Sequence, residues 1–412
     1  MTCGWYMKAS RVIVALCLLW LPSSHALELR GPYLTDLDIN RAEVVCHTGE
    51  NVDLTLEYRE EKNDASDKRI NSKESTQHVF CLENLKPGTS YSYCILGPEG
   101  PVKNSAPPTV CPVFTTPAQR PRAFSFIAYG DSRDSSKIPK RHREITTHFL
   151  AHAPSFVVST GDLLIGGQHA SSSMFSHDWT VNFFQPLRGV AETIQYHLTV
   201  GNHDQDSSEA LEGIQKAFPR FRESFRYAFR HGDAHFIILH VANQMQEFQK
   251  QKEWFVDELK KAQDARWRIV FLHVSPFTNG KYRNSAWTLD GREDFLKTCV
   301  RQGVDVVFSG HDHSYQRFHP LRSNEQDKRS VIFVVTALSG TNPYHAVHDS
   351  YTAKVVNKTD HFCVIDVHPE NLTITAYDNK NRAIDRVEVP RTGRDLGMVW
   401  GPVVKSDEPV EN

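Results

Sequence analysis

The sequence predicts an α/β (α+β) domain of mixed β-sheets flanked by helices, preceded by a smaller all-β sandwich. Three observations predict this. Residues 27–117 contain short alternating stretches broken by Asn, Gly and Pro, a pattern typical of antiparallel sandwiches. After a linker at residues 115–121, apolar runs alternate with helical patterns, which is typical of sheets covered by helices. Several of those apolar runs end at polar residues that can bind a metal.

The first 26 residues have the features of an export signal. Lys8 and Arg11 precede an apolar run at residues 12–21, and Ser24 and Ala26 form a small-x-small cleavage motif. This pattern predicts a signal peptide at residues 1–26. The apolar run is too short to span a bilayer, which takes ~20 residues, so we expect a secreted protein, extracellular or periplasmic, without stable membrane insertion. An uncleaved anchor is the alternative.

Cysteine usage agrees with export. Of the eight cysteines, two precede residue 27, which leaves Cys46, Cys81, Cys94, Cys111, Cys299 and Cys363. An even number in an exported chain favours disulfides, and pairing within each half of the chain is plausible, although spacing does not fix the connectivity. The net charge of −2 excludes a globally basic surface, so no nucleic-acid partner is expected.

The N-terminal region carries one recognisable local motif. The segment Leu85-Lys-Pro-Gly-Thr-Ser-Tyr-Ser-Tyr resembles the turn and tyrosine corner of fibronectin type III-like domains. Residues 27–117 are therefore predicted to be a fibronectin type III-like domain. They contain no catalytic constellation, so we expect a packing or binding role.

The larger domain is predicted at residues 122–390, followed by a loose extension at 391–412. Its predicted strands lie at residues 124–129, 155–160, 196–200, 235–241, 268–272, 304–309, 331–335, 362–367, 372–377 and 386–389, and its predicted helices at 140–151, 244–265 and 293–301. Strands continue after the last helix, so a mixed sheet or two stacked sheets fit better than a purely parallel one.

Five of these strands end in polar residues of similar type. The strand ends read Gly130-Asp131-Ser132-Arg133, Gly161-Asp162-Leu163, Gly201-Asn202-His203-Asp204, His273, and Gly310-His311-Asp312-His313. Functional groups of α/β sheets gather at the carboxyl ends of strands, so these residues should meet in one crevice. Carboxylates, an amide oxygen and imidazoles without thiolate suit Mn, Zn, Fe or Mg. Asp162 is the candidate bridge between two ions.

The order of these motifs resembles the calcineurin-like metallophosphoesterases, and more closely their purple acid phosphatase-related branch. This resemblance implies the metallophosphoesterase fold and two divalent ions. It places one ion on Asp162, Asn202, His273 and His311, and the other on Asp131, Asp162 and His313. The form Gly-Asp-Ser-Arg is similar to the Gly-Asp-Thr-Arg of bacterial relatives.

The chain departs from the family pattern at two ligand positions. Arg133 stands where general members of the superfamily have a histidine, and Ile165 stands where purple acid phosphatases have a tyrosine. Without a tyrosinate, ferric iron loses its hard anionic ligand, so a divalent pair, or one firmly bound and one exchangeable ion, is expected. His142 could supply the missing ligand; the alternative is a surface helix histidine.

The resemblance also assigns roles to three further residues. It implies a metal-activated water as nucleophile, His203 as general acid and Asp204 as the group that orients His203. Arg133 would bind the substrate phosphate, or instead form a salt bridge to a carboxylate in the site.

The function expected from this site is that of a secreted metal-dependent phosphatase that hydrolyses phosphomonoesters, with a small-molecule phosphate ester as partner. One alternative is a phosphodiesterase or nucleotide hydrolase, since residues 278–284 offer cations and an aromatic ring for a larger substrate. The other is a non-catalytic exported binding protein with a residual metal site. The intact Asn202, His203, His273 and His311 argue against the latter.

Overall fold

The computed structural model describes residues 27–62, 67–102, 111–119, 123–134 and 140–391. The expected signal peptide and all but the first residue of the expected C-terminal extension lie outside these described residues. Within them, no helix is both long and apolar enough to cross a membrane.

Strands and helices alternate as the sequence pattern indicates. The strands are β1 Leu29–Leu37, β2 Arg41–Glu60, β3 Lys68–Glu83, β4 Ser90–Gly97, β5 Gly100–Pro101, β6 Val113–Thr115, β7 Phe124–Tyr129, β8 Phe156–Ser159, β9 Gln195–Leu198, β10 Tyr227–His231, β11 Ala234–Ile238, β12 Trp267–Leu272, β13 Val306–Ser309, β14 Tyr315–Phe318, β15 Ile332–Thr336, β16 Thr352–Val356, β17 His361–Val367, β18 Asn371–Asp378 and β19 Ala383–Pro390. The α-helices are α1 Arg141–Thr146, α2 His177–Trp179, α3 Ser208–Ala217, α4 Lys252–Lys261, α5 Ala286–Leu289 and α6 Arg292–Gln302. Other helical segments, of the 3₁₀ or π type, are Phe149–His152, Gly167–His169, Thr180–Phe184, His203–Gln205, Pro219–Arg222 and Met245–Gln251.

The N-terminal region is all β, as predicted. The first half of the long strand β2 pairs with β1 and its second half with β4, while β3 follows it on the other edge. This folded-over sheet encloses its own apolar core, which includes Leu34, Leu56 and Phe80. The hydroxyl of Tyr91 accepts the backbone N–H of Lys86 at 2.9 Å, the contact expected of a tyrosine corner.

Two mixed sheets form the second half of the fold. One has the order β19-β18-β17-β7-β8-β9, with β7, β8 and β9 parallel. The other has the order β10-β11-β12-β13-β15-β14-β16, with β11, β12, β13 and β15 parallel. Buried aromatic rings join the sheets: Phe126 of the first packs edge-on against Phe236 and Phe308 of the second. The prediction of a mixed sheet or two stacked sheets, in place of a purely parallel sheet, is confirmed: there are two stacked sheets, and both are mixed.

The predicted helix at residues 244–265 is only partly correct. Residues Met245–Gln251 form a tight helical turn, and the α-helix begins at Lys252. Side chains that bond to nearby backbone compete with helix formation, and two do so here. The Gln251 amide pairs with the backbone of His240, and the carboxylate of Glu247 accepts the N–H of Ala242.

The cysteine prediction is only partly right. Cys94 and Cys111 form a disulfide, but Cys46, Cys81, Cys299 and Cys363 are free. Pairing of the last two is wrong because they belong to separate cores: Cys299 lies on α6, outside the second sheet, and Cys363 lies between the two sheets.

The N-terminal sheet packs directly onto the second domain. The Tyr33 ring joins the apolar core beneath β9, and its hydroxyl donates to the carbonyl of Ala217 at 2.8 Å. The same hydroxyl lies 2.9 Å from Nε2 of buried His47, so the neutral imidazole donates to it. Burial, with smaller contributions from His78 and Lys216, lowers the pKa of His47 to about 3.

This histidine should make the protein sensitive to acid. Below pH about 6.5, the ordinary pKa of histidine, the unfolded chain binds a proton at His47 and the folded protein does not, so the free energy of unfolding falls by about 1.4 kcal/mol per pH unit. The contribution of neutral His47 to stability is therefore complete above that pH and is lost as pH falls towards 3. Between pH 7.5 and 5.0, the free energy of unfolding of wild type should fall about 2 kcal/mol more than that of His47→Gln, measured by urea denaturation. Equal losses in the two proteins would contradict this.

Candidate metal centre

The polar strand ends converge at the junction of the two sheets. Asp131 and Asp162 follow β7 and β8, Asn202 comes four residues after β9, and His273 and His311 follow β12 and β13 of the other sheet. Two groups of possible ligands result, Asp162 with His273 and His311, and Asp131 with Asp162 and His313; in each, the ligand atoms lie within 4.8 Å of one another. Asp162 belongs to both groups.

Close approach of these loops explains the glycines that precede the ligands. A Cβ at Gly201 would stand 2.3 Å from Oδ1 of Asp162, and one at Gly310 would stand 2.7 Å from Oδ2 of Asp131. Positive φ angles occur at Gly161, with 103°, and also at three of the candidate ligands, with 51° at Asp131, 54° at Asp162 and 67° at His311. Non-glycine residues adopt this conformation at an energetic cost, and such residues cluster at functional sites.

The spacing of the first group matches a metal site. Oδ1 of Asn202 lies 3.1 Å from Nε2 of His273 and 3.0 Å from Nδ1 of His311. Nε2 of His273 lies 3.4 Å from Oδ1 of Asp162. Donors held about 2.1 Å from a tetrahedral ion are separated by about 3.4 Å, so these four side chains fit one cation.

The second group contains Arg133 as well as its three possible ligands. Nε2 of His313 lies 3.3 Å from Oδ1 of Asp131. The Arg133 guanidinium bonds to Asp162, and it lies 3.6 Å from Oδ1 of Asp131 and 3.4 Å from Nε2 of His313. The structure thus shows the salt bridge, the alternative role considered for Arg133. Its binding of substrate phosphate stays a prediction.

Backbone carbonyls hold three of the imidazoles in place. Nδ1 of His273 lies 2.9 Å from the carbonyl oxygen of Thr160, and Nδ1 of His313 lies 2.7 Å from that of Asn342. A carbonyl only accepts, so Nδ1 carries the proton and Nε2 is left for a metal. Nδ1 of His203 similarly donates to the carbonyl of Ile165 at 2.8 Å. The sequence carries no signal for these contacts, because any residue supplies a carbonyl.

The expectation that Asp204 orients His203 is wrong. The Asp204 carboxylate is fully buried and accepts four backbone N–H groups at 2.9 Å, from Asp162, Leu163, Leu164 and Gly201. It therefore fixes the loop that carries Asp162 to the loop that carries Asn202. Burial and the neighbouring Asp162 raise the pKa of Asp204 to about 7.

His142 does not supply the missing ligand. Its Nε2 lies 3.0 Å from the hydroxyl of Tyr129, within a fully buried cluster that includes Tyr196. The surface alternative is also wrong, since the His142 side chain is fully buried, and this burial lowers its pKa to about 3. Ile165 contributes backbone only: its N–H donates to Asp178 and its carbonyl accepts from His203.

The electrostatics of the site favour added positive charge. Burial lowers the pKa of His273, but Asp162 and Asp131 outweigh burial and raise it to about 9. Burial likewise opposes ionisation of Asp162, yet Arg133 and His273 hold its pKa well below the usual value. Oδ1 of Asp131 is one of the buried polar atoms of the described residues that have no hydrogen-bond partner. This carboxylate oxygen fits a bound divalent cation.

Known proteins are similar to this chain in sequence and in fold. Residues 136–315 match the family model for calcineurin-like phosphoesterases. Purple acid phosphatase 15 of Arabidopsis thaliana is 21% identical over 302 residues, which cover 66% of this chain and 54% of the relative. Purple acid phosphatase 1 of Ipomoea batatas is 31% identical over 137 residues, covering 29% of this chain and 28% of that protein. The chain thus spans about half or less of the length of these curated relatives.

Solved structures extend the similarity to almost the whole chain. Purple acid phosphatase PPD1 from yellow lupin seeds covers 92% of this chain and 78% of its own, with a TM-score of 0.72 and 15% identity. PhoD covers 90% of this chain and 92% of its own, with a TM-score of 0.66 and 12% identity. The predicted metallophosphoesterase-type fold is confirmed. Residues 136–315 are thus similar to the calcineurin-like phosphoesterases, and the relatives of the chain include purple acid phosphatases.

Proposed function

We propose that the protein is a secreted metal-dependent phosphatase that hydrolyses phosphomonoesters at a two-metal site. The observation that carries this proposal is the position of Asp162, whose carboxylate belongs to both ligand groups. A shared carboxylate is the usual core of a two-metal hydrolase. The relationship to the purple acid phosphatases supports a phosphoesterase activity.

The donor set supports a divalent pair. Asp162, Asn202, His273 and His311 would hold one ion, and Asp131, Asp162 and His313 the other. Two such ions supply Lewis acidity, which activates water and offsets charge on phosphoryl oxygens. A ferric ion would lack a tyrosinate, because Ile165 takes the place of the tyrosine.

His203 would serve as the proton donor. Its side chain is 36% exposed, in contrast to the buried aspartate and histidine ligands, and its Nδ1 donates to the carbonyl of Ile165. Nε2 is thus the atom free to give a proton to the leaving oxygen. Arg133 forms an ion pair with Asp162 and is always positively charged, so it would also bind a substrate phosphate.

Secretion is part of the proposal and has separate support. The Cys94–Cys111 disulfide fits an oxidising compartment, since disulfides rarely persist in the cytosol.

The proposed function is tested with two substrates on one protein sample. Purified protein treated with chelator should lose hydrolysis of p-nitrophenyl phosphate and regain it with Mn or Zn, with a lower kcat/KM for bis(p-nitrophenyl) phosphate. A higher kcat/KM for the diester would show that the protein is a phosphodiesterase and not a phosphomonoesterase. Absence of hydrolysis of both esters with every metal would reject catalysis.

Replacement of His203 should impair esters with poor leaving groups most. Asn keeps a donor for the carbonyl of Ile165 but cannot transfer a proton, so kcat/KM of His203→Asn for glycerol 2-phosphate should fall about 10²–10⁴-fold. The loss should be smaller for p-nitrophenyl phosphate, whose leaving group needs little protonation. Metal content should not change. An equal loss for both substrates would argue against the general-acid role.

A further inference from the structure

An aromatic and cationic surface lies beside the metal centre and has no part in the phosphomonoesterase mechanism proposed above. It consists of Lys281, Tyr282, Trp287 and Tyr344, and we call it the ring ledge. The Tyr282 ring stacks on His311 with centroids 4.4 Å apart, and the Tyr344 ring stacks on His313 at 3.9 Å. Each of these tyrosines therefore covers one histidine of the candidate site.

The ring ledge leads outwards from the metal centre to solvent. His311 is buried, Tyr282 is half-buried, and Trp287, stacked on Tyr282 with centroids 6.0 Å apart, is 49% exposed. Large exposed apolar side chains are few in the described part of the chain, and Leu289 shares this short helix with Trp287. An exposed indole next to a polar site offers a stacking surface for a planar ring.

Lys281 adds a positive charge at the same place. Its Nζ lies 4.5 Å from the Tyr344 ring centroid and 5.0 Å from that of Tyr282, so it lies against both of the rings that stack on the histidines. No carboxylate of the described residues forms an ion pair with it. A lysine in this position can bind an anionic group next to the one held at the metal centre.

The position of the ring ledge is fixed by the metal-site loop itself. Asp312, which stands between His311 and His313, accepts the N–H of Lys281 at 3.0 Å and that of Tyr282 at 3.2 Å. It also accepts the hydroxyl of Thr278 at 2.6 Å. A merely solvated loop would not be tied in this way to the residue between two candidate ligands.

We propose that the ring ledge is the binding site for the leaving group of the substrate, and that this leaving group is a nucleoside phosphate, so that the preferred substrate class is the nucleoside diphosphates. The proposal rests on the proposed function, in which the terminal phosphate lies at the metal centre. The base stacks on Trp287, and Lys281 binds the phosphate next to the scissile one. Hydrolysis transfers the terminal phosphoryl group to water and releases the nucleoside monophosphate.

Two variants separate the contributions of base and phosphate. Trp287→Ala should lower the ratio of kcat/KM for ADP to that for glycerol 2-phosphate about tenfold, the typical effect of one lost stacking contact. Lys281→Met should lower the ratio for ADP to AMP about tenfold, because AMP keeps the base but lacks the second phosphate. Leu289→Ala and Lys297→Met are matched controls outside the ring ledge and should leave both ratios unchanged.

Binding of the non-hydrolysable methylene analogue of ADP, measured by calorimetry on the metal-loaded protein, keeps the test independent of hydrolysis. The Kd should rise about tenfold in Trp287→Ala and in Lys281→Met. Unchanged ratios and unchanged Kd values would overturn the ring-ledge proposal while leaving the phosphatase intact. If the wild-type protein binds the analogue but hydrolyses no ester, and both variants bind it more weakly than wild type does, the ring ledge is supported and the proposed function is rejected.

Discussion

Asp162→Asn should abolish phosphatase activity, with kcat/KM for p-nitrophenyl phosphate at least about a thousandfold below wild type. Asp162 is the carboxylate common to both ligand groups, and its Oδ1 also accepts the N–H of His203 at 3.0 Å. The substitution removes the negative charge that both ions would share while it conserves shape. Metal content should fall with activity, as measured by elemental analysis of the same sample.

A matched control separates this effect from general loss of charge. Asp257→Asn makes the same chemical change on the exposed face of α4, where the carboxylate pairs with Lys260 in solvent. This variant should change neither activity nor metal content. Full activity in Asp162→Asn would contradict the assignment of this residue as the bridge. Circular dichroism of both variants checks that they are folded.

Asp204→Asn should lower the free energy of unfolding by about 3 kcal/mol and lower the affinity for metal about 10–100-fold. An Asn side chain offers one acceptor oxygen in place of two, so its amide group would face two of the four backbone N–H donors from the Asp162 and Asn202 loops. Relief of repulsion from Asp162 offsets a small part of the cost. Urea unfolding of the chelated protein and metal titration measure the two effects separately.

The neighbouring Asp206 provides the comparison. Its carboxylate accepts the N–H of Gly167 at 2.7 Å and is partly exposed, so Asp206→Asn should cost well under about 1 kcal/mol of stability. If Asp204→Asn were no more destabilising than Asp206→Asn, the four N–H contacts would not be what positions the metal-site loops.

Strand ends explain why much of the site could be predicted from sequence. An apolar run followed by Gly-Asp or Gly-His marks both a buried strand and the side chain at its carboxyl end, and parallel strands bring these ends together. The sequence alone therefore identifies six candidate ligands: Asp131, Asp162, Asn202, His273, His311 and His313. The structure brings them close, while their individual roles as ligands stay predictions.

Backbone partners explain why the rest could not be predicted. The resemblance assigns Asp204 to His203, yet the oxygens of Asp204 face the N–H groups of another loop. The backbone carbonyls of Thr160 and Asn342, which bind two of the histidines, could not be predicted, because any residue at these positions supplies a carbonyl. His142 looks like a surface helix residue, but tertiary packing buries it against Tyr129.

The metal content of purified wild-type protein, measured by elemental analysis together with p-nitrophenyl phosphate hydrolysis, tests the two-metal account most directly. The account predicts about two divalent ions per chain, no visible iron–tyrosinate absorption, and activity that chelation removes and Mn or Zn restores. A chain that retains no ion and stays inactive after addition of Mn or Zn would contradict it.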